Sequence, residues 1–292
     1  MKVLMTGASG LIGSALTNAL EAEDCFVTGL VRGSAWNPEQ GTVDGARLEG
    51  FDAIVHLAGE SIAGGRWSPA RKERIRESRV KGTTALAGAI ANLKSPPKVF
   101  LSGSAIGFYG SRGAEVLTEE SAGGSGFLAE VCQAWEAAAA AASAKGVRVV
   151  NMRTGIVLST RGGALAKMLL PFRMGVGGKV GSGDQYMSWI TLKDLCRVAM
   201  FALRTESVRG PVNAVAGSLT NAEFTKALGR AVHRPTIFPL PAFAARLAFG
   251  EMADALLLGS QRVVPTSLQQ VGFVFEHAEL LPALQRILRA RT

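Results

Sequence analysis

The sequence predicts an α/β protein built on a doubly wound parallel sheet. Short apolar runs alternate with helix-like segments along the chain, as parallel strands and their crossover helices require. The first run, Lys2–Thr6, is followed at once by glycines and then by apolar residues at helical spacing. The 292 residues, 48% of them hydrophobic and 19% charged, supply enough apolar material for a large core. A disordered protein and a long multidomain array are both excluded.

The start of the chain indicates a strand, a tight turn and a helix. Gly7, Gly10 and Gly13 follow the first strand. Glycine lets the backbone turn sharply and approach a pyrophosphate, and free amides at a helix N-terminus donate to phosphate oxygens. The spacing Gly-x-x-Gly-x-x-Gly differs from the Gly-x-Gly-x-x-Gly of ordinary dehydrogenases. Its position after the first strand favours a dinucleotide site, and a glycine-rich surface turn is the alternative.

The predicted second strand, residues 26–31, ends at Arg32. In NAD-binding proteins an acidic residue at this point usually hydrogen-bonds the ribose hydroxyls. No Asp or Glu occurs between Phe26 and Pro38, so a 2′-phosphate would meet a guanidinium instead of a repelling carboxylate. We therefore predict NADP as the cofactor, with a solvated arginine at a strand end as the alternative.

Residues 52–59 indicate another buried parallel strand that ends in small residues. We expect cofactor ribose and pyrophosphate groups to lie against the backbone of Ala58 and Gly59. His56 stands among apolar neighbours in the middle of this strand, and we interpret it as a core histidine and not as a catalyst.

A predicted helix from residue 66 to about residue 93 carries most of the surplus positive charge. Between residues 66 and 81 there are seven Lys or Arg residues and two Glu residues, and the whole chain has a net charge of +9. Such a surplus favours anionic partners. After Trp67 this segment contains no aromatic residue, which disfavours nucleic acid as the partner. Two interpretations remain open: part of the basic cluster faces a phosphate, or the cluster is a plain solvent-exposed face.

The remaining patterns narrow the class of protein. The three cysteines, Cys25, Cys132 and Cys196, are too widely separated for a zinc site, and no His pair has metal-ligand spacing. No metal is predicted. There is no Gly-x-Ser-x-Gly elbow and no phosphate-binding Gly-x-x-x-x-Gly-Lys loop. The apolar stretches are shorter than a membrane span, so we expect a cytoplasmic protein without a membrane partner.

Later segments carry a resemblance to a known family. A predicted strand at residues 99–103 leads into Ser104 and the pair Tyr109-Gly110, and an Ala-rich helix follows at about residues 126–145. With the glycine turn, these segments resemble the extended short-chain dehydrogenase/reductase superfamily. The second half is similar to the atypical "epimerase family" subgroup, also named cell-division-inhibitor SulA-like, which ends in a short domain of unknown function. That similarity rests on segments beginning at Arg153, Leu170, Gly177, Gly181, Gln185, Asp194, Thr220 and Val271.

The resemblance also exposes a departure. Ordinary members use a tyrosine with a lysine four residues later, and a serine or threonine that polarises the carbonyl. Neither tyrosine of this chain has that lysine, and the expected position reads Phe127 with Val131 four residues on. Ser104 and Tyr109 remain as candidate catalytic residues. The predicted cofactor-binding residues are Gly7, Ser9, Gly10, Leu11, Ile12, Gly13, Arg32, Leu57, Ala58, Gly59, Glu60, Arg79, Ser102 and Arg153.

The resemblance implies a Rossmann-like domain and a smaller, mainly helical C-terminal lobe. We assign residues 1–158 plus 188–215 to the NADP-binding domain, and residues 159–187 plus 216–292 to the lobe that completes a substrate cleft.

Two hypotheses of function are retained. The first is an NADP-dependent oxidoreductase or epimerase acting on a small or nucleotide-linked substrate. The second is a non-catalytic NADP-binding regulator related to cell division. The sequence leaves the substrate and the oligomeric state open.

Overall fold

A computed structural model describes residues 1–33 and 35–289. The strands are β1 (Lys2–Thr6), β2 (Phe26–Leu30), β3 (Trp36–Asn37), β4 (Thr42–Val43), β5 (Ala53–His56), β6 (Val99–Ala105), β7 (Val116–Leu117), β8 (Arg148–Thr154), β9 (Ile156–Leu158), β10 (Tyr186–Thr191), β11 (Gly210–Ala214), β12 (Gly217–Thr220) and β13 (Arg262–Val263). The helices are α1 (Leu11–Glu21), α2 (Pro69–Ala91), α3 (Phe127–Ala138), α4 (Ala140–Ala144), α5 (Gly163–Arg173), α6 (Leu192–Arg204), α7 (Asn221–Val232), α8 (Ala242–Phe249), α9 (Glu251–Leu256), α10 (Thr266–Gln270) and α11 (Leu280–Arg289).

The largest sheet has six parallel strands in the order β11-β8-β6-β5-β1-β2. The chain runs from β1 outwards to β2 and then crosses back to β5 on the other side of β1. This reversal creates a crevice at the carboxyl ends of β1 and β5, which is where doubly wound sheets bind ligands. The predicted fold class is confirmed.

Both faces of the sheet are covered, because its central strands are apolar on both sides. In β1, Leu4 faces one core and Met5 faces the other, and both are fully buried. One face packs against α1 and α6 through residues such as Leu16 and Leu195, and the opposite face packs against α2 through Leu86. Continuous apolar strands of this kind are expected where helices cover a parallel sheet on both sides.

Two predicted helices differ in detail from the structure. The basic helix α2 begins after Ser68, whose hydroxyl accepts a hydrogen bond from the amide of Arg71, and it has a proline in its first turn. Both features are typical helix starts. The predicted Ala-rich helix of residues 126–145 is divided at Ala139 into α3 and α4.

The smaller lobe is mainly helical. Helices α5, α7 and α11 enclose a second apolar core around Trp189, Phe224 and Leu284. A three-stranded sheet, β12-β10-β9, lies beside it, and β10 contains the predicted boundary at residue 188. After β10 the chain returns through α6 to β11, which joins the large sheet. Within the described residues, no helix combines the length and the apolar character that crossing a bilayer demands.

Candidate functional site

The glycine turn packs directly against the end of β5. Gly7 has φ = +73°, and a Cβ atom at this position would lie 2.8 Å from the amide nitrogen of Ala58 and the carbonyl carbon of Leu57. A Cβ atom on Gly13 would overlap the carbonyl oxygen of Gly7. Both positions therefore require glycine, one for its backbone conformation and both for space. The turn and the end of β5 together form the floor of the crevice.

The first turn of α1 presents free amides to this crevice. Gly10 donates to the carbonyl of Gly7 at 3.0 Å, whereas the amides of Leu11, Ile12 and Gly13 have no acceptor among the described residues. Ser9 and Gly10 are exposed. The first turn contains no Asp or Glu, so nothing on the helix itself neutralises the partial positive charge at its N-terminus. This arrangement is suited to binding an anion such as a pyrophosphate.

Arg32 lies beyond the end of β2, at the same edge of the sheet. β2 pairs with β1 so that Leu30 is opposite Thr6, the residue before the glycine turn. The guanidinium of Arg32 is 58% exposed and forms an ion pair of 3.0 Å with Glu39, which is 74% exposed. An exposed pair of this kind contributes about 0–1 kcal/mol, so it holds the guanidinium weakly. Arg32 is therefore accessible to a ligand phosphate.

The segment after β5 is fixed by helix α2. Ser78 accepts a hydrogen bond from the amide of Glu60 at 3.0 Å, and Arg79 donates to the carbonyls of Glu60 and Ile75, each at 3.0 Å. The Arg79 guanidinium also lies 5.1 Å from the ring centre of Trp135. Burial lowers the pKa of Arg79 below its ordinary value, an effect that Cys132 and Glu60 oppose. These contacts hold the backbone of Glu60, and the predicted cofactor contact of Arg79 stays a prediction.

His56 is a buried, neutral histidine. Its Nδ1 atom is 2.6 Å from the hydroxyl of Thr6, and the side chain has no exposed surface. Burial, with a smaller contribution from the charge of Arg79, lowers its pKa from 6.5 to about 3. The interpretation of His56 as a core residue agrees with this environment. Ser102, which lies opposite His56 in the neighbouring strand, is fully buried and donates to the carbonyl of Gly103 at 3.3 Å.

Arg153 is held by protein groups. Its Nε and Nη2 atoms each donate to one carboxylate oxygen of Glu136 at 2.8 Å, and its Nη1 atom donates to the hydroxyl of Tyr109 at 2.9 Å and to the carbonyl of Glu119 at 3.3 Å. The residue is 3% exposed. The sequence predicts a cofactor contact for Arg153, but in the structure its donors are directed at neighbouring side chains and backbone instead.

The two candidate catalytic residues belong to the same buried network. Ser104 donates to Glu136 at 2.6 Å, and the hydroxyl of Tyr109 donates to Asn213 at 2.7 Å. Tyr109 has no exposed surface, and burial raises its pKa more than the contacts of Arg153 and Asn213 lower it. Ser104 retains 5% exposure. A catalytic role for either residue stays a prediction.

Phe127 stands where ordinary superfamily members have the catalytic tyrosine, and its ring makes aromatic contacts but cannot donate a proton. Phe127 begins α3, and its ring packs edge-to-face against Trp67 with ring centres 5.1 Å apart. The ammonium of Lys72 lies 5.1 Å from the centre of the Phe127 ring and forms an ion pair with Glu251 of α9. Four residues on, Val131 is buried in the core. The loop before α2, helix α3 and the smaller lobe therefore meet at this point.

Sequence reasoning missed Glu136, although it organises the network. It is one carboxylate in an Ala-rich helix, and its side chain lies beneath the carboxyl ends of β6 and β8 through its contacts with Ser104 and Arg153. An acid in such a helix is a weak signal, because most helical acids face solvent. The partners of Glu136 become evident only from the packing of α3 against the sheet.

The chain is similar to known proteins over nearly its whole length. Residues 3–216 match the model of the NAD dependent epimerase/dehydratase family, and residues 240–287 match a domain of unknown function, DUF1731. An epimerase family protein of Mycobacterium bovis is 46% identical over 97% of this chain and 96% of its own length.

Two solved structures extend the similarity to three dimensions. The human epimerase family protein SDR39U1, crystallised with NADPH, has a TM-score of 0.89 and 35% identity, and the match covers 99% of both chains. A nucleoside-diphosphate sugar epimerase from Corynebacterium glutamicum has a TM-score of 0.82 and 37% identity over 99% of this chain and 58% of its own. The resemblance predicted from the sequence is confirmed. The glycine turn, the sheet order and these matches together show that this chain belongs to the NAD dependent epimerase/dehydratase family and ends in a DUF1731 domain.

Proposed function

We propose that this protein binds NADP(H) in the crevice above β1 and β5 and uses it to reduce or epimerise a small or nucleotide-linked substrate. The observation that carries the proposal is the pairing of two features at one sheet edge. The glycine turn offers free amides to a pyrophosphate, and Arg32 offers a guanidinium, in a segment without carboxylates from residue 26 to residue 38, to a 2′-phosphate. The NADPH in human SDR39U1 supports the choice of coenzyme.

The residues of this chain fit that coenzyme. The close approach of Gly7 to Ala58 brings the helix N-terminus and the end of β5 together as one continuous backbone surface. Arg79 fixes the backbone of Glu60 at the side of that surface. When it is bound, the nicotinamide supplies or accepts the hydride. The protein's part is to orient the coenzyme and to position the substrate carbonyl or hydroxyl beside it.

Ser104 is the better candidate for contact with a substrate oxygen. The residue retains 5% exposure and its hydroxyl is oriented by Glu136, whereas Tyr109 has no exposed surface and its hydroxyl contacts Asn213 and Arg153. A serine hydroxyl held by a carboxylate can exchange that partner for a substrate oxygen without a change of backbone. The name of the Corynebacterium relative, a nucleoside-diphosphate sugar epimerase, supports a nucleotide-linked substrate.

One observation favours a second function, an NADP-binding regulator without turnover. Phe127 carries no ionisable group, and its ring is covered by Trp67 and Lys72. A protein that has lost the proton donor while keeping the coenzyme crevice would sense NADP(H) and not consume it. The regulator and the enzyme share the binding site, so they differ only in turnover.

The test separates binding from turnover. Calorimetry with NADPH and NADH is performed on the wild type, on Arg32→Asp and on Arg47→Asp, a matched control at an exposed arginine that has no side-chain partner among the described residues. We expect Arg32→Asp to lower the affinity for NADPH at least about 10-fold more than the affinity for NADH, which is the scale of a lost charge-assisted contact. No binding of either coenzyme to the folded wild type would overturn the proposal.

Turnover is then followed by nicotinamide absorbance with a panel of carbonyl compounds and nucleotide sugars. Oxidation of NADPH with any member, lost in Ser104→Ala, supports the enzyme. Tight NADPH binding without turnover across a broad panel supports the regulator instead.

A further inference from the structure

A short loop from the second half of the chain crosses the N-terminus of α1. This loop, residues 159–162, joins β9 to α5. A Cβ atom on Gly162 would lie 3.7 Å from the side chain of Leu11, and one on Gly163 would lie 3.5 Å from the same side chain. The amide of Arg161 donates to the hydroxyl of Ser159 at 3.1 Å, and Gly163 has φ = +75°. The loop is therefore a tight, internally bonded turn that rests on the first helical turn.

The turn carries Arg161 to the edge of the anion-binding crevice. Its Nη2 atom is 3.5 Å from the hydroxyl of Ser14, which is at the limit of a hydrogen bond. Ser14 is in the first turn of α1, directly after the free amides of Leu11, Ile12 and Gly13. Arg161 itself is exposed. Its remaining N–H donors are thus free to reach a ligand held by those amides.

The charge of Arg161 lacks a counterion in the part of the chain that the structure describes. No carboxylate lies within 4.0 Å of the Arg161 guanidinium among the described residues, whereas Arg204 and Arg246 are each paired with one. The exposed Arg47 also lacks a side-chain partner there, so what distinguishes Arg161 is its position beside the first turn of α1. The polar group that it approaches is the hydroxyl of Ser14, in the first turn of α1, close to the positive end of that helix. A cation beside that end is unfavourable on its own, and an anion placed between the two is stabilised by both.

We propose that Arg161 closes over the pyrophosphate of the bound dinucleotide, opposite the amides of α1. The inference rests on the proposed function, since it assigns a further residue to the same coenzyme site. The planar fork of a guanidinium suits two phosphate oxygens at once. Arg161 lies after β9, later in the chain than every cofactor-binding residue predicted from the sequence.

The test uses two ligands, of which only NADPH contains the pyrophosphate and the nicotinamide riboside attached to it. Adenosine 2′-monophosphate contains only the adenosine and the 2′-phosphate. Both are titrated by calorimetry into the wild type, Arg161→Ala and Arg47→Ala, the last being a control that removes the same charge at an exposed site away from the crevice. We expect Arg161→Ala to lower the affinity for NADPH about 10-fold or more, and the affinity for adenosine 2′-monophosphate less than about 2-fold. Arg47→Ala should change neither by more than about 2-fold.

The outcomes distinguish this inference from the proposed function. Equal NADPH affinity in Arg161→Ala and wild type would overturn the assignment of Arg161 and leave the proposed function standing. Equal losses for both ligands would also overturn it, because the effect would not concern the pyrophosphate. A wild type that binds neither ligand would overturn the proposed function itself.

Discussion

Arg153 and Glu136 form a buried bidentate ion pair, with both N···O distances at 2.8 Å and side chains that are 4% and 11% exposed. Breaking a buried pair leaves an uncompensated charge in a region of low dielectric, which typically costs about 3–5 kcal/mol. We expect Glu136→Gln to lower the free energy of unfolding by about 3 kcal/mol, because the amide still accepts from Ser104 but no longer neutralises the guanidinium. Urea denaturation at pH 7 measures the change.

The matched control is Glu130→Gln, which removes an exposed carboxylate from the same helix. A change within about 1 kcal/mol is expected there, since Glu130 interacts mainly with the helix N-terminus. Similar losses in the two variants would contradict the importance that we give to the ion pair.

Two helical glycines separate the effect of space from that of helix propensity. A Cβ atom on Gly13 would overlap the backbone of the glycine turn, whereas one on Gly88 of α2 meets nothing within 4 Å. Gly88→Ala should raise stability by up to about 1 kcal/mol. Gly13→Ala should lower it by about 1–3 kcal/mol, the cost of overpacking, and weaken NADPH at least about 10-fold because the turn must shift. Thermal unfolding and calorimetry give the two readouts, and a stabilised Gly13→Ala variant with wild-type affinity would refute the model of a closely packed turn.

If Arg32 binds the coenzyme 2′-phosphate as proposed, Glu39 competes with that phosphate for the guanidinium. The pair is exposed and contributes little to stability, yet a 2′-phosphate must displace it. We expect Glu39→Gln to raise the affinity for NADPH by about 2- to 5-fold, an effect below about 1 kcal/mol, and to leave the affinity for NADH unchanged. The control is Glu115→Gln, which breaks another partly exposed Arg–Glu pair, with Arg112 at 2.7 Å. Equal tightening of NADH and NADPH would show a general charge effect instead of a 2′-phosphate contact.

The sheet and the glycine turn could be predicted because their signals are local. Apolar runs such as residues 26–31 and 52–59 correspond to strands buried by helices, and the turn is specified by residues within one short segment. The family resemblance reinforced both. The strand ends were placed less well, and the β3–β4 hairpin had no signal that the sequence analysis used.

Side-chain direction could not be predicted in the same way. Arg153 has the chemistry of a phosphate ligand, and only the packing of α3 beneath the strand ends supplies Glu136 as its partner. Tyr109 belongs to a segment typical of the superfamily, but its hydroxyl donates a hydrogen bond to Asn213, which is 104 residues away in sequence. The proposed role of Arg161 could not be predicted for the same reason, since its contact with Ser14 joins residues 147 positions apart. Contacts between distant segments leave no periodic trace in the sequence.

The buried His56 predicts a loss of stability in mild acid. Its pKa is about 3 in the folded protein, because burial and the charge of Arg79 oppose protonation, against an ordinary value of 6.5. As the pH falls, the unfolded chain therefore binds this proton first, and stability that is complete above pH 6.5 is lost progressively towards pH 3. Between pH 7 and pH 5 the linkage amounts to about 2 kcal/mol.

The variant His56→Gln removes the titrating group, and it should lower stability at pH 7 by about 1–3 kcal/mol through the altered contact with Thr6. Its informative property is the difference in unfolding free energy between pH 7 and pH 5, which should be about 2 kcal/mol smaller than in the wild type. His233→Asn removes an exposed histidine at the left-handed C-terminal cap of α7, where asparagine is well tolerated, and controls for histidine loss in general. Urea denaturation at the two pH values decides the matter. If wild type and His56→Gln lose the same stability on acidification, the pKa of His56 is not lowered by its surroundings and the predicted linkage is wrong.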